Sequence, residues 1–134
     1  MIVADTNLLV QLWAGREGAR AAEAVWRRDP MWVAPPLWRS EFRNALVTFV
    51  RARLVDGERA QAMTADAELD MEGREFSVVS PHVMSLALRS GCSAYDCEFA
   101  ALAEDLGIPL VTSDRQVLRA FPEIALAPEQ FLRD

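Results

Sequence analysis

The chain has 134 residues, about half of them hydrophobic, with a formal net charge of -6 at pH 7; residues 1–134 are therefore expected to form one domain around one core. The acidic balance argues against broad, sequence-blind electrostatic binding of nucleic acid. No apolar run approaches the roughly 20 residues of a membrane span, and the chain starts on a strand-like segment instead of a basic signal region, so a cytoplasmic protein is expected.

All fourteen basic residues are arginine, which removes Schiff-base chemistry, the phosphate-binding lysine of a P-loop and lysine-assisted aspartyl phosphorylation. Ile2, Val3 and Ala4 read as a short strand that delivers Asp5, with Thr6 and Asn7 directly behind it. A helix carrying Leu8, Leu9, Leu12 and Trp13 stops near Gly15, and a second runs from Glu17 to Arg28 before Pro30. Trp32 to Ala34 form another short strand. Pro35 and Pro36 open a long helix, Leu37 to Leu54, since a missing N–H costs nothing in a first turn. Trp38, Phe42, Ala45, Leu46 and Phe49 make its apolar stripe, and Glu41 borders it. Asp56-Gly57 breaks the pattern, Glu58 to Glu72 reads as an alanine-rich helix, and Phe76, Val78 and Val79 as a strand or the remnant of one. Ser80-Pro81 predicts an N-cap and first-turn proline for a helix through Arg89, which Gly91 ends.

The remaining chain is organised around Ser93 to Asp114. Ser93 with Asp96 three residues later forms a capping box, and Tyr95, Phe99, Leu102 and Leu106 follow at helical spacing. Gly107 stops this helix and Pro109 forbids its continuation. Leu110, Val111 and Thr112 then read as a buried strand that ends on Asp114. Arg115 to Phe121 is a short helix, and Ile124 to Ala127 a last edge strand. Short strands alternating with helices predict an α/β fold, a three-layer α/β/α sandwich with a short central parallel sheet. The spacing of Cys92 and Cys97 matches no zinc or disulfide pattern, so both thiols are expected reduced.

Acids gather at the carboxyl edge of this sheet, where open α/β folds place their ligands. Asp5 and Asp114 end strands, Asp96 begins a helix, and Glu41 lies in the first turns of another. Singly, each has a structural use: Asp5 and Asp114 suit helix caps, Asp96 the capping box, and Glu41 either an ion pair with an arginine such as Arg39 or Arg43 or simply a helix N-terminus. Together in one cleft they would repel one another, and a divalent cation would keep them ionised. All-oxygen ligation suits Mg²⁺ or Mn²⁺, ions that bind a phosphodiester oxygen and acidify an attacking water.

Four stretches carry a family resemblance: Asp5-Thr6-Asn7, Glu41 within Ser-Glu-Phe-x-Asn-Ala, Tyr95-Asp96 followed by Ala100-Ala101-Leu102-Ala103, and Leu110-Val111-Thr112-Ser113-Asp114. In that order and at those separations the chain resembles the PIN-domain ribonucleases, and in particular the VapC-type toxins of type II toxin-antitoxin pairs. The resemblance implies a PIN-like fold and an Mg²⁺- or Mn²⁺-dependent endoribonuclease, with Asp5, Glu41, Asp96 and Asp114 as catalytic, metal-binding acids. It casts Thr6, Asn7, Thr112 and Ser113 as the donors that hold those carboxylates. It also implies a homodimer and an antitoxin protein covering the cleft. Gln116 and Val117 stand where some relatives carry a further acid, which bears on a second metal. The alternative is a non-catalytic PIN-like module that binds RNA or protein.

Other residues have plainer expectations. Glu98, one helical step from Asp96, is read as either an auxiliary ligand or part of a solvated helix face, and His82 as a surface or capping residue at a helix start; with no second histidine, a histidine-rich zinc site is excluded. Arg39, Arg43, Arg51 and Arg53 form either a basic edge beside the cleft or a solvated face. Trp13, Trp26, Trp32 and Trp38 are expected in the core or a subunit interface.

Overall fold

The first strand of the chain is the second strand of the sheet. In the computed structural model, which describes residues 1–133, β1 (Ile2–Ala4) pairs in parallel with β2 (Trp32–Val33) on one side and β3 (Leu110–Val111) on the other, and β4 (Ala125–Leu126) completes the order β2-β1-β3-β4. Every residue of β1, β2 and β3 is buried, as expected of parallel strands covered on both faces. The register sets Val3 opposite both Val33 and Leu110. Because the chain leaves β1 for one neighbour and returns later to the other, the topological switch point lies between β1 and β3.

Helices flank this sheet on both faces, which makes the three-layer α/β/α sandwich. They are α1 (Thr6–Ala14), α2 (Ala19–Arg28), α3 (Trp38–Arg51), α4 (Gly57–Asp70), α5 (Ser80–Ser90), α6 (Ala94–Leu106), α7 (Arg115–Ala120) and α8 (Pro128–Arg133). α1 packs with α2, α3 and α4, while α6 packs against α5 and lies on β1 and β3. Trp32, Trp38, Phe42, Phe99, Leu102 and Leu110 are among the largest fully buried side chains. None of the described helices is long and apolar enough to cross a membrane.

Most ends fall where local chemistry puts them. Gly15, Gly91 and Gly107 close α1, α5 and α6 in the left-handed conformation, which costs a glycine little. Ser93 caps α6 by accepting from the Asp96 amide at 3.0 Å. Elsewhere the structure departs from expectation. Val79, not Ser80, is the N-cap of α5, and no side chain caps it. Of the two readings of Phe76 to Val79 the remnant is found: the segment makes one bridge, Ala34 to Glu75, and then leaves. The next ladder bond would need an amide from Pro36, which has none. Tyr95 and Leu106, at the ends of the α6 stripe, are exposed instead of buried. α8 was not foreseen.

Candidate active site

Two strand ends and two helix starts meet in a cleft of about 430 Å³ at the switch point, and Asp5, Glu41, Asp96 and Asp114 all line it. Asp5 directly follows β1 and caps α1, with Oδ1 accepting from the Thr6 amide at 2.8 Å. Its Oδ2 accepts from the Thr112 hydroxyl at 2.6 Å and from Asn7 Nδ2 at 3.3 Å. Only 7 % of Asp5 is exposed. Burial pushes its carboxyl up to about 6, against the bonds from Thr112 and Thr6 that lower it, with the charges of Asp96 and Glu41 adding to the rise.

Thr112 is the hub of this end of the sheet. Fully buried, its hydroxyl donates to Asp5 and accepts from Asn7 Nδ2 at 3.2 Å and from the Asp114 amide at 3.0 Å. One side chain thereby fixes the loops after β1 and β3 relative to each other. The Ser113 amide donates to Asn7 Oδ1 at 3.2 Å, and the Ser113 hydroxyl receives Gln11 Nε2 at 3.3 Å; among the described residues it makes no bond to a carboxylate. Gln11 is wedged against Gly18, where an added Cβ would lie 2.8 Å from its Cδ.

The other acids are held more loosely. Glu41 Oε1 accepts from the Thr6 hydroxyl at 2.7 Å. Burial first, and then the charges of Asp96 and Glu98, raise its carboxyl, while the Thr6 bond lowers it. Asp96 is raised by burial and by the charge of Asp114. Asp114 spends Oδ1 on the amides of Gln116 and Val117, at 2.8 and 3.2 Å, as the cap of α7. The capping roles weighed for Asp5 and Asp114 thus coexist with convergence: Asp114 caps α7 through Oδ1 alone, while both oxygens of Asp5 accept hydrogen bonds.

None of the four acids makes an ion pair among the described residues. Arg39 binds Glu75 through Nε and Nη2 at 2.7 and 2.8 Å and Glu68 through Nη1 at 2.7 Å, and Arg43 approaches Glu68 at 3.6 Å. Neither reaches Glu41, as expected two residues away on a helix, where side chains do not face each other. Arg43 and Arg51 line a larger, mainly apolar groove of about 660 Å³ between α3 and α4, whose one acid is the paired Glu68. The basic edge beside the cleft is therefore not formed by Arg39, Arg43, Arg51 and Arg53: the arginine that lines the cleft is Arg16, and Phe49 stands near it. His82 sits between Glu104 and Asp105, at 2.6 and 3.1 Å, clamping α5 to α6. Glu98 is half-buried and lines a separate hollow.

The donor set suits a hard dication: Asp5, Glu41, Asp96 and Asp114, with Glu17 as a fifth acid of the lining, face a single arginine, Arg16, that pairs with none of them among the described residues. Among the described residues no three of them converge as a ready-made metal cage. The fit lies in charge and donor type, and it is the kind Mg²⁺ accepts, since that ion keeps several waters and few protein ligands.

The family model for the PIN domain matches residues 2–124. The chain belongs to the PIN domain family. Among curated proteins it is similar to Ribonuclease VapC3 of Pyrobaculum aerophilum, 26% identical over 126 residues that span 92% of this chain and 96% of that protein. Among solved structures it is similar to that of PAE2754 from Pyrobaculum aerophilum, with a TM-score of 0.79, 23% identity, and coverage of 98% of this chain and 86% of that one. At that identity the likeness concerns the fold. The four acids, Thr6 and Asn7 singled out in the sequence all line this cleft, whereas the sequence gave no signal for Gln11, which reaches it from within α1, or for Arg16 and Glu17, which reach it from the turn after α1.

Proposed function

We propose that this PIN-domain chain is a metal-dependent endoribonuclease, a single domain over residues 1–134, and the toxin of a toxin-antitoxin pair. On this reading it works in the cytoplasm as a homodimer and an antitoxin protein covers its cleft. The observation that carries the nuclease assignment is the gathering of four carboxylates, none paired to a protein cation, around one cleft. The similarity to a protein named Ribonuclease VapC3 supports RNA as substrate and the toxin role.

Asp5, Glu41, Asp96 and Asp114 would hold Mg²⁺ or Mn²⁺, which when bound supplies charge stabilisation at the phosphodiester and an acidified water. The chain's own contribution is order. Thr6, Asn7 and Thr112 fix Asp5 from three directions, and Thr6 sets the Glu41 carboxylate with its hydroxyl. Burial of Asp5 keeps bulk water off the innermost carboxylate.

Purified protein is expected to cleave RNA with Mg²⁺ or Mn²⁺ and to stop in excess EDTA. Equal rates with and without chelator would remove the metal-dependent nuclease, and tight RNA or protein binding without cleavage under any metal would favour the non-catalytic module. A finer expectation concerns Thr6→Val, which keeps the β-branched shape but frees Glu41. Its kcat/KM should fall about 10- to 100-fold, the scale of losing a group that orients a metal-binding side chain. Its stability should drop by only about 1 kcal/mol, the net worth of one hydrogen bond; an unchanged kcat/KM would leave Glu41 without a role.

A further inference from the structure

An acidic cleft that takes RNA must manage a polyanion, and among the described residues one cationic side chain lines it. Arg16 lines the cleft from the turn between α1 and α2, where Gly15 and Gly18 both adopt positive φ. Its guanidinium lies over the Phe49 ring at 5.8 Å from the centroid, and Nη1 makes a long 3.5 Å bond to the Leu54 carbonyl. Arg53, with φ 60, turns the chain after α3, and the Leu54 amide bonds back to the Phe49 carbonyl at 2.9 Å. Phe49 and the end of α3 thus form one support for the guanidinium. Arg16 makes no ion pair among the described residues; its neighbour Glu17 is exposed and unpaired with it.

We propose that Arg16 is a phosphate-binding residue of this cleft: propped on Phe49 and the Leu54 carbonyl, it holds a phosphate of the bound RNA strand next to the one that reaches the acids. This rests on the nuclease reading and adds to it the residue that admits the strand. A planar guanidinium with one N–H engaged retains donors enough for a two-bond grip on a phosphate. Stacking on a ring fixes the fork beforehand, so less freedom is lost on binding. The cleft volume of about 430 Å³ lies within the range of about 300–1,000 Å³ typical of ligand sites. Phe49 is a positioning residue here, acting through Arg16.

The test measures binding of a fluorescein-labelled single-stranded RNA oligonucleotide by anisotropy, across a salt series, in an Asp5→Asn background that does not cut. Adding Arg16→Gln should weaken binding about tenfold, as expected for a charge-assisted hydrogen-bonded contact. It should also reduce the slope of log K against log salt by about 0.7, the share of one phosphate on a single strand. Arg16→Lys should restore the slope while recovering only part of the affinity, and Phe49→Leu should weaken binding with the slope kept. Weaker binding with an unchanged slope in Arg16→Gln, accompanied by a lower melting temperature, would mean that Arg16 only fastens the turn to α3, and would overturn the proposal. Wild-type protein that cleaves RNA while Arg16→Gln matches it in binding and KM would overturn this proposal alone. Failure of the wild-type chain to cleave RNA with Mg²⁺ or Mn²⁺ would instead overturn the nuclease reading, and this with it.

Discussion

Asp5→Asn is expected to lower RNA cleavage by about a thousandfold or more, the scale on which one preorganised electrostatic group acts in a catalytic site, and to change how the protein responds to pH. Asp5 is nearly buried, makes no ion pair among the described residues, and has its carboxyl pushed from 3.8 up to about 6. An acid raised on folding binds more protons folded than unfolded, so stability falls as pH rises. In metal-free protein this contribution is fully present below 3.8 and lost as pH climbs through about 6, a swing on the order of 3 kcal/mol. Glu41 and Asp96, also raised, act with the same sign. Melting curves in EDTA should therefore decline across that window, and the decline should be shallower in Asp5→Asn. The absolute stability of the variant need not rise, because both Asp5 oxygens accept hydrogen bonds and an amide presents a donor at one of them. Equal slopes in the two proteins would mean that Asp5 is not the strained carboxylate described here.

The largest stability effect is expected at Trp38. The ring is fully buried, meets Phe42 edge-on with centroids 5.6 Å apart, and donates from Nε1 to Glu75 Oε2 at 2.8 Å. Trp38→Ala should cost about 3–5 kcal/mol, a fall in melting temperature on the order of 10–15 °C for a domain of this size. Trp38→Phe should cost only about 1–2 kcal/mol, since Glu75 keeps its two bonds to Arg39. Glu75 also reverses the sign seen at Asp5. The Arg39 bond holds its carboxyl below the ordinary 4.5 against burial, so its contribution is present above that value and lost as pH falls through the lowered one. Chemical denaturation of both variants at neutral pH checks the ranking; equal losses would assign the stability to the hydrogen bond instead of the ring.

Most strands and helices of this PIN domain were legible because their ends carry chemistry: a capping serine, stopping glycines, and strands of unbroken apolar residues. Two of the acids were legible for a related reason: Asp5 and Asp114 follow buried strands and are delivered to the same edge whatever the loops do, while Glu41 and Asp96 stand in the first turns of helices. What could not be read depended on the finite size of the sheet. β1 is three residues long, about 10 Å, whereas the 13 residues of α6 span about 20 Å, so Tyr95 and Leu106 overhang it and stay exposed. Phe76 to Val79 has strand-forming residues but only one partner position before Pro35 and Pro36 end the ladder. The ion pair weighed for Glu41 with Arg39 or Arg43 does not form, because residues two apart on a helix do not face each other; the acids these arginines meet, Glu68 and Glu75, lie far along the chain. Arg16 was missed for the same reason in reverse, its place being set by a turn and a ring 33 positions away.

A crystal grown with millimolar Mn²⁺ and measured at the manganese absorption edge would test the metal assignment most directly. An anomalous peak is expected in the cleft, within bonding reach of oxygens from Asp5, Asp96, Glu41 or Asp114, and absent from Asp5→Asn crystals grown alike. A cleft with no peak in protein that cleaves RNA under the same conditions, or a peak elsewhere on the chain, would contradict it.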